Sequence, residues 1–165
     1  MNDYYVEVLI KRNVEHEKKK RKVIAIVVMI LMLIGWLVTR FSVFFAGFAL
    51  SFFGYYFLVR NFSIEFEYFY MDGELTISKI VNKSRRKKIL ELNEGEIKLI
   101  SPVNSMAVDI FNNLEKKDYS ANEPSIMPYM VVYIINGTLK RVDIQMTEEL
   151  YKELEKNMPE KVKKY

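Results

Sequence analysis

The sequence predicts an α+β membrane protein: a transmembrane helical hairpin followed by a β-rich domain with a C-terminal α-helix. Three observations lead there. Two uncharged runs, Val23 to Thr39 and Phe41 to Val59, are interrupted by Arg40 alone. Beyond them the apolar residues stop being continuous and begin to alternate around Asp-Gly and Asn-Gly pairs. Near the end, Leu150, Leu154 and Met158 recur every four residues.

The two runs hold 17 and 19 residues. As helices they would rise roughly 25 and 28 Å, close to the ~30 Å hydrocarbon core of a bilayer. Each contains 11 residues of the Val/Ile/Leu/Phe group, and these contribute roughly −3 to −7 kcal/mol per run on an insertion scale. A buried soluble hairpin would need a large surface to cover helices that are apolar all round. Residues 61–165 do not readily supply one. A signal peptide fits no better, because the apolar run begins late, lacks an A-x-A-like site and is followed at once by a second run. The reading is two spans, 23–39 and 41–59.

Basic residues set the expected orientation. Residues 1–22 form a basic N-terminal arm in which positions 11–22 carry seven Lys or Arg, against Arg40 alone between the spans. The positive-inside rule then places both termini in the cytoplasm and the Thr39–Arg40 turn outside, in the cell membrane. Residues 1–10, MNDYYVEVLI, read either as a short interfacial helix or as a frayed end. Within the second span Gly47, Ser51 and Gly54 share a helical face, a small-residue stripe that suits packing against the first span or, alternatively, an oligomer seam. Neither span holds an Asp, Glu, Lys or His, so the usual marks of an ion path are missing.

Residues 61–165 are expected to form the cytoplasmic β domain. Ile64, Phe66, Tyr68 and Tyr70 alternate ahead of Asp72-Gly73, and Leu75 and Ile77 continue beyond it. That is a hairpin signal, since the dipeptide accepts the positive φ of a type I′ turn. Further strands are expected at Lys87–Leu92 and Glu96–Ser101, and a second hairpin at Met130–Ile135 and Thr138–Gln145 around Asn136-Gly137. Residues 102–129 hold three of the four prolines and little periodicity, with an edge strand considered near Lys117–Ser120. The closing helix is placed at 147–158: Thr147 is a good N-cap, Glu148 and Glu149 suit the first turn, and Pro159 ends it.

Chemistry-bearing patterns are few. With no cysteine and one histidine, His16, the chain has no thiolate metal site and no histidine cluster. The six glycines are scattered, so no phosphate loop is formed. No metal ligands, catalytic residues or cofactor are expected. Glu65 and Glu67 share a strand face that reads as solvated, and Tyr68 and Tyr70 are expected on that same face, which could instead make it a partner surface. The run Lys83, Arg85, Arg86, Lys87 and Lys88 has three readings: a solvated loop, a contact for anionic lipid head groups, or nucleic-acid binding. The last is disfavoured, because no base-stacking aromatics are interleaved in the run.

Several strands followed by a terminal helix resemble pleckstrin-homology-like domains. The stretch Tyr70-x-x-Gly73-x-Leu75-x-Ile77, then Arg85-Arg86, Ile89-x-x-Leu92 and Ile97, is similar to the opening of bacterial domains of that type. More narrowly, MNDYYVEVLIKR, FEYFYMDGELTISKI, NKSRRKK and MPEKV resemble a family of small bacterial two-span membrane proteins known as a domain of unknown function. The resemblance implies architecture and membrane location, and no site. The expected function is a non-catalytic, membrane-anchored interaction module that binds the lipid bilayer surface or a protein partner. The alternative is an accessory subunit of a larger membrane enzyme or transporter.

Overall fold

The computed structural model describes residues 5–56, 62–106, 110–111 and 113–163. The chain divides into two compact units, Val14–Ser63 and the combination of Met1–Asn13 with Ile64–Tyr165.

In the second of these, eight strands among the described residues make two sheets. β1 (Val6–Lys11), β2 (Ile64–Met71), β3 (Glu74–Val81) and β4 (Arg85–Asn93) form an antiparallel sheet in that order. β5 (Ile97–Pro102), β6 (Lys116–Asp118), β7 (Tyr129–Ile135) and β8 (Thr138–Ile144) form the other, in the order β5-β7-β8-β6. The two expected hairpins are present, and Asp72-Gly73 and Asn136-Gly137 all carry positive φ. The edge strand near Lys117 is present too, running parallel to β8.

One core takes side chains from both sheets and from α3 (Glu148–Asn157). Tyr68, Leu75, Ile77, Leu92, Ile97, Ile100, Val142, Leu150 and Leu154 are buried there. Thr147 caps α3 through its hydroxyl, which accepts the Leu150 N–H at 3.3 Å. Beyond α3, residue 100 exchanges backbone hydrogen bonds with residues 161 and 163, each at 2.8 Å. That contact covers part of the β5 edge and buries Val162.

Two expectations are corrected here. Residues 6–11 are neither an interfacial helix nor a frayed end but strand β1, paired antiparallel with β2 from Val6↔Tyr70 to Lys11↔Glu65. Val6 and Val8 join the core, as the alternation of Val6, Val8 and Ile10 with Glu7, Leu9 and Lys11 requires of a half-buried strand. The β domain therefore begins before the hairpin rather than after it, and its helices are an insertion between two neighbouring strands. The second correction concerns Tyr68 and Tyr70. Strand parity turns them away from Glu65 and Glu67, and they lie in the core with 0% and 1% exposure.

The Val14–Ser63 unit is a helical hairpin of α1 (Glu15–Thr39) and α2 (Ser42–Tyr55). α1 is the one helix among the described residues that is long and apolar enough to cross a membrane. α2 has 14 residues, below the ~20 that a span needs. Residues 57–59 of the second apolar run lie outside the described residues. The turn is tight: Arg40 takes a left-handed φ of 58°, and its N–H returns to the Trp36 carbonyl at 2.8 Å.

Candidate functional site

β3 and β4 meet at a turn in which Asn82 and Lys83 both have positive φ, 53° and 57°, and the Ser84 N–H closes on the Val81 carbonyl at 3.2 Å. A long side chain at such an angle is uncommon outside glycine and asparagine. Lys83 consequently stands at the tip of the hairpin. β4 then runs antiparallel to β3, with Val81↔Arg85, Ile80↔Arg86, Lys79↔Lys87 and Ser78↔Lys88 as partners.

This register splits the basic run in two. Arg86 and Lys88 lie on one face of the sheet and are held by its own carboxylates, Arg86 by Glu67 and Lys88 by Glu91. Glu67 is buried, and burial raises its carboxyl above the ordinary range while Arg86 opposes the rise and Glu7 adds to it. These two cations serve the sheet. Arg85 and Lys87 lie on the other face, and Lys87 sits directly across from Lys79. Like charges opposite one another weaken a ladder, and no ion pair among the described residues relieves this pair. Four cations thus gather at one end of the sheet: Lys79, Lys83, Arg85 and Lys87. Lys79 was missing from the sequence reading, although counting parity back across the turn would have found it.

The same end of the sheet is where the chain departs and returns. Lys11 faces Glu65, and the Arg12 N–H donates to the Ile64 carbonyl at 2.9 Å, while Ile64 itself faces Val81. The basic hairpin tip and both connections to the helical insertion therefore share one edge of the domain.

Within the hairpin unit, the three small residues have different surroundings. A Cβ on Gly47 would come within 3.0 Å of Met32 Sδ, so this position does bring α1 and α2 together. Ser51 folds its hydroxyl back onto the Gly47 carbonyl at 2.8 Å. Around Gly54 a Cβ would meet nothing within 4 Å. The closest approach is at Gly35, where a Cβ would fall 2.7 Å from the Phe44 ring. The sequence pattern did not single out Gly35, since it lies in the first apolar run, outside the Gly47-Ser51-Gly54 stripe.

Among the described residues no group of three His, Cys, Asp or Glu side chains converges to hold a metal.

The sequence model of the family described as "Bacterial PH-like domain (DUF6106)" matches residues 2–164. The chain belongs to this family. Searches of curated proteins and of solved structures returned no match. This bacterial PH-like family has no characterised function, so the basic sheet end rests on its own geometry.

Proposed function

We propose that this PH-like protein is a non-catalytic module anchored by two membrane crossings, with the basic end of its first sheet against the anionic inner leaflet. The observation that carries the reading is the pairing of β1 with β2 on either side of the helices. Hydrogen-bonded strands lie on one side of a bilayer, so the chain between them crosses an even number of times. If α1 crosses, the residues from Ser42 to Ser63 must bring the chain back. They are long enough: 14 helical residues rise about 21 Å, and the eight that follow need add only about 9 Å.

Orientation follows from the cluster Lys18–Lys22 at the start of α1, which favours the cytoplasmic side. The folded domain, joined to both ends of the hairpin, then lies in the cytoplasm with Lys79, Lys83, Arg85 and Lys87 at the edge nearest the membrane. Each contributes on the order of 1 kcal/mol near an anionic surface, fading within a Debye length of about 8 Å. The partner is thus the bilayer itself, with acidic head groups as its chemistry.

Because the chain has no cysteine, single cysteines report topology directly. A cysteine at Thr39 should label from outside and one at Asp72 should not. Labelling of Asp72→Cys from outside, or protection of Thr39→Cys, overturns the two-crossing reading. For the basic end, hydrogen exchange of residues 79–88 is followed in the full chain in nanodiscs. Protection should be greater with anionic than with neutral lipid, and the difference should vanish when the four cations become Gln. Equal protection in the two lipids overturns lipid docking and leaves the anchor standing.

A further inference from the structure

The hairpin closes unevenly along its length. At the turn, Gly35 admits the Phe44 ring, the Trp36 and Phe45 rings lie tilted with their centres 5.5 Å apart, and Gly47 admits Met32. Toward the other end, α1 and α2 leave an open slot of about 320 Å³. Ile24, Ala25, Val28, Ser51, Gly54 and Tyr55 line it, and Arg21 stands at its mouth. The slot is apolar in effect, since the Ser51 hydroxyl is turned onto the Gly47 carbonyl and Gly54 offers no side chain. The Arg21 guanidinium lies 3.9 Å from the centre of the Phe62 ring, which fixes the plane of its donors. No acidic side chain among the described residues pairs with it.

In hydrocarbon, an apolar gap between helices is filled by whatever packs it, because tails and side chains are equally apolar there. Two occupants fit the shape: a lipid chain, or a helix of a second copy. Charge decides between them. Copies in one membrane share an orientation, so a symmetric dimer on this face would bring Arg21 of each copy, flanked by Lys18 and Lys22, against the same cluster of the other. Such like-charge contact opposes association. A phosphate at the same place is complementary, and a guanidinium binds it through two parallel N–H donors.

We propose that the slot holds one acyl chain of an anionic phospholipid of the inner leaflet, with the lipid phosphate on the Arg21 guanidinium. The proposal rests on the two-crossing reading, which sets the slot at the depth of that leaflet. It deepens that reading by naming a specific lipid site in place of a general charged surface.

The test is native mass spectrometry of the delipidated full chain in detergent with added phosphatidylglycerol, phosphatidylcholine or glycerol phosphate. One phosphatidylglycerol should be retained, phosphatidylcholine should bind more weakly, and glycerol phosphate should not bind. Arg21→Gln and Gly54→Leu should each weaken phosphatidylglycerol by about tenfold, a loss of ~1.4 kcal/mol. A Cβ at position 54 meets nothing within 4 Å and the rest of a leucine side chain can extend into the open slot, so the hairpin is expected to remain intact. Phosphatidylglycerol binding that survives Gly54→Leu overturns the slot, as does glycerol phosphate bound as tightly as the lipid. A dimer in the wild type that Gly54→Leu dissolves gives the slot to a second copy and also overturns the proposal. External labelling of Thr39→Cys in the same variants separates any of these failures from failure of the anchor.

Discussion

The two units use the same apolar residues in opposite ways. In the β unit Leu75 and Ile77 are fully buried, whereas in the hairpin Ile24 and Leu31 are 64% and 62% exposed and neither helix buries a residue. The β unit is held by removing apolar area from water, at roughly 25 cal/mol per Å². The hairpin satisfies its backbone internally and leaves its apolar side chains uncovered, which the proposed membrane anchoring would cover with hydrocarbon. Apolarity by itself therefore does not mark a core. Its period does: two in the strands, four in α3, and none in the hairpin.

The largest effect is expected from removing the strand that precedes the hairpin. Residues 61–165 alone lack β1, which leaves one edge of β2 unpaired and takes Val6 and Val8 from the core. Losing two buried valines costs roughly 3–6 kcal/mol, a large share of the ~5–15 kcal/mol that holds a domain. The fragment should show no cooperative thermal transition. Residues 5–13 joined to residues 64–163 by a flexible Gly-Ser linker should recover one. Circular dichroism melts of the two chains decide the matter, and equal cooperative melts would mean that β1 is dispensable.

The strand β1 also marks the limit of what the sequence revealed. The Asp72-Gly73 and Asn136-Gly137 hairpins and α3 were legible because each carries its own local signal, a turn dipeptide or a cap. β1 carries none. Leu9 blurs its alternation, and its partner lies across the whole hairpin. β6 was legible only as an edge strand near Lys117–Ser120, because three residues leave too short a pattern to reveal the parallel pairing with β8. The basic site was half legible. Composition located the run, but only the register separates Arg86 and Lys88, tied to Glu67 and Glu91, from Arg85 and Lys87, and adds Lys79.

Single substitutions sharpen the contrast. Ile77→Ala in the linked β unit should lower stability by about 2–5 kcal/mol, since it opens a cavity in a fully buried site. Leu31→Ala in the full chain removes a side chain that faces outward, and should leave the melt of the β unit unchanged. Denaturant titration of the first and hydrogen exchange of the β strands in the second are the measurements. A shift of comparable size from Leu31→Ala would mean that the hairpin supports the domain's core.

A smaller effect is expected at Tyr68. Its hydroxyl donates to the Tyr119 carbonyl at 2.7 Å and accepts the Gln145 N–H at 3.1 Å. Burial pushes the phenol well above its ordinary pKa. The raised value means that the folded state holds the proton more tightly than the unfolded one. The associated stability is complete below about pH 10 and is lost as pH rises further. Tyr68→Phe should cost about 1–3 kcal/mol near neutrality by stranding both partners. The gap between wild type and variant should narrow in alkali. A gap that stays constant or widens would show that the phenol remains un-ionised or is not linked to folding.

The smallest expected effect compares helix ends. α3 lies in the β unit, and its first turn is capped by the Thr147 hydroxyl. α1 and α2 have Val14 and Phe41 at their N-caps, and neither makes a side-chain capping hydrogen bond. Thr147→Ala leaves the Leu150 N–H without its acceptor and should cost about 1 kcal/mol. Thr39→Ala is the control: its hydroxyl bonds back to the Gly35 carbonyl at 2.6 Å within α1, whose backbone bonds remain without it. The β unit's melting temperature should therefore fall in Thr147→Ala and hold in Thr39→Ala. Serine at position 147 restores the acceptor and should recover most of the loss, which separates the cap from the packing of the threonine methyl. If Thr147→Ser is as unstable as Thr147→Ala, the methyl rather than the hydroxyl secures the helix, and α3 is held by its buried face of Leu150, Tyr151 and Leu154 alone.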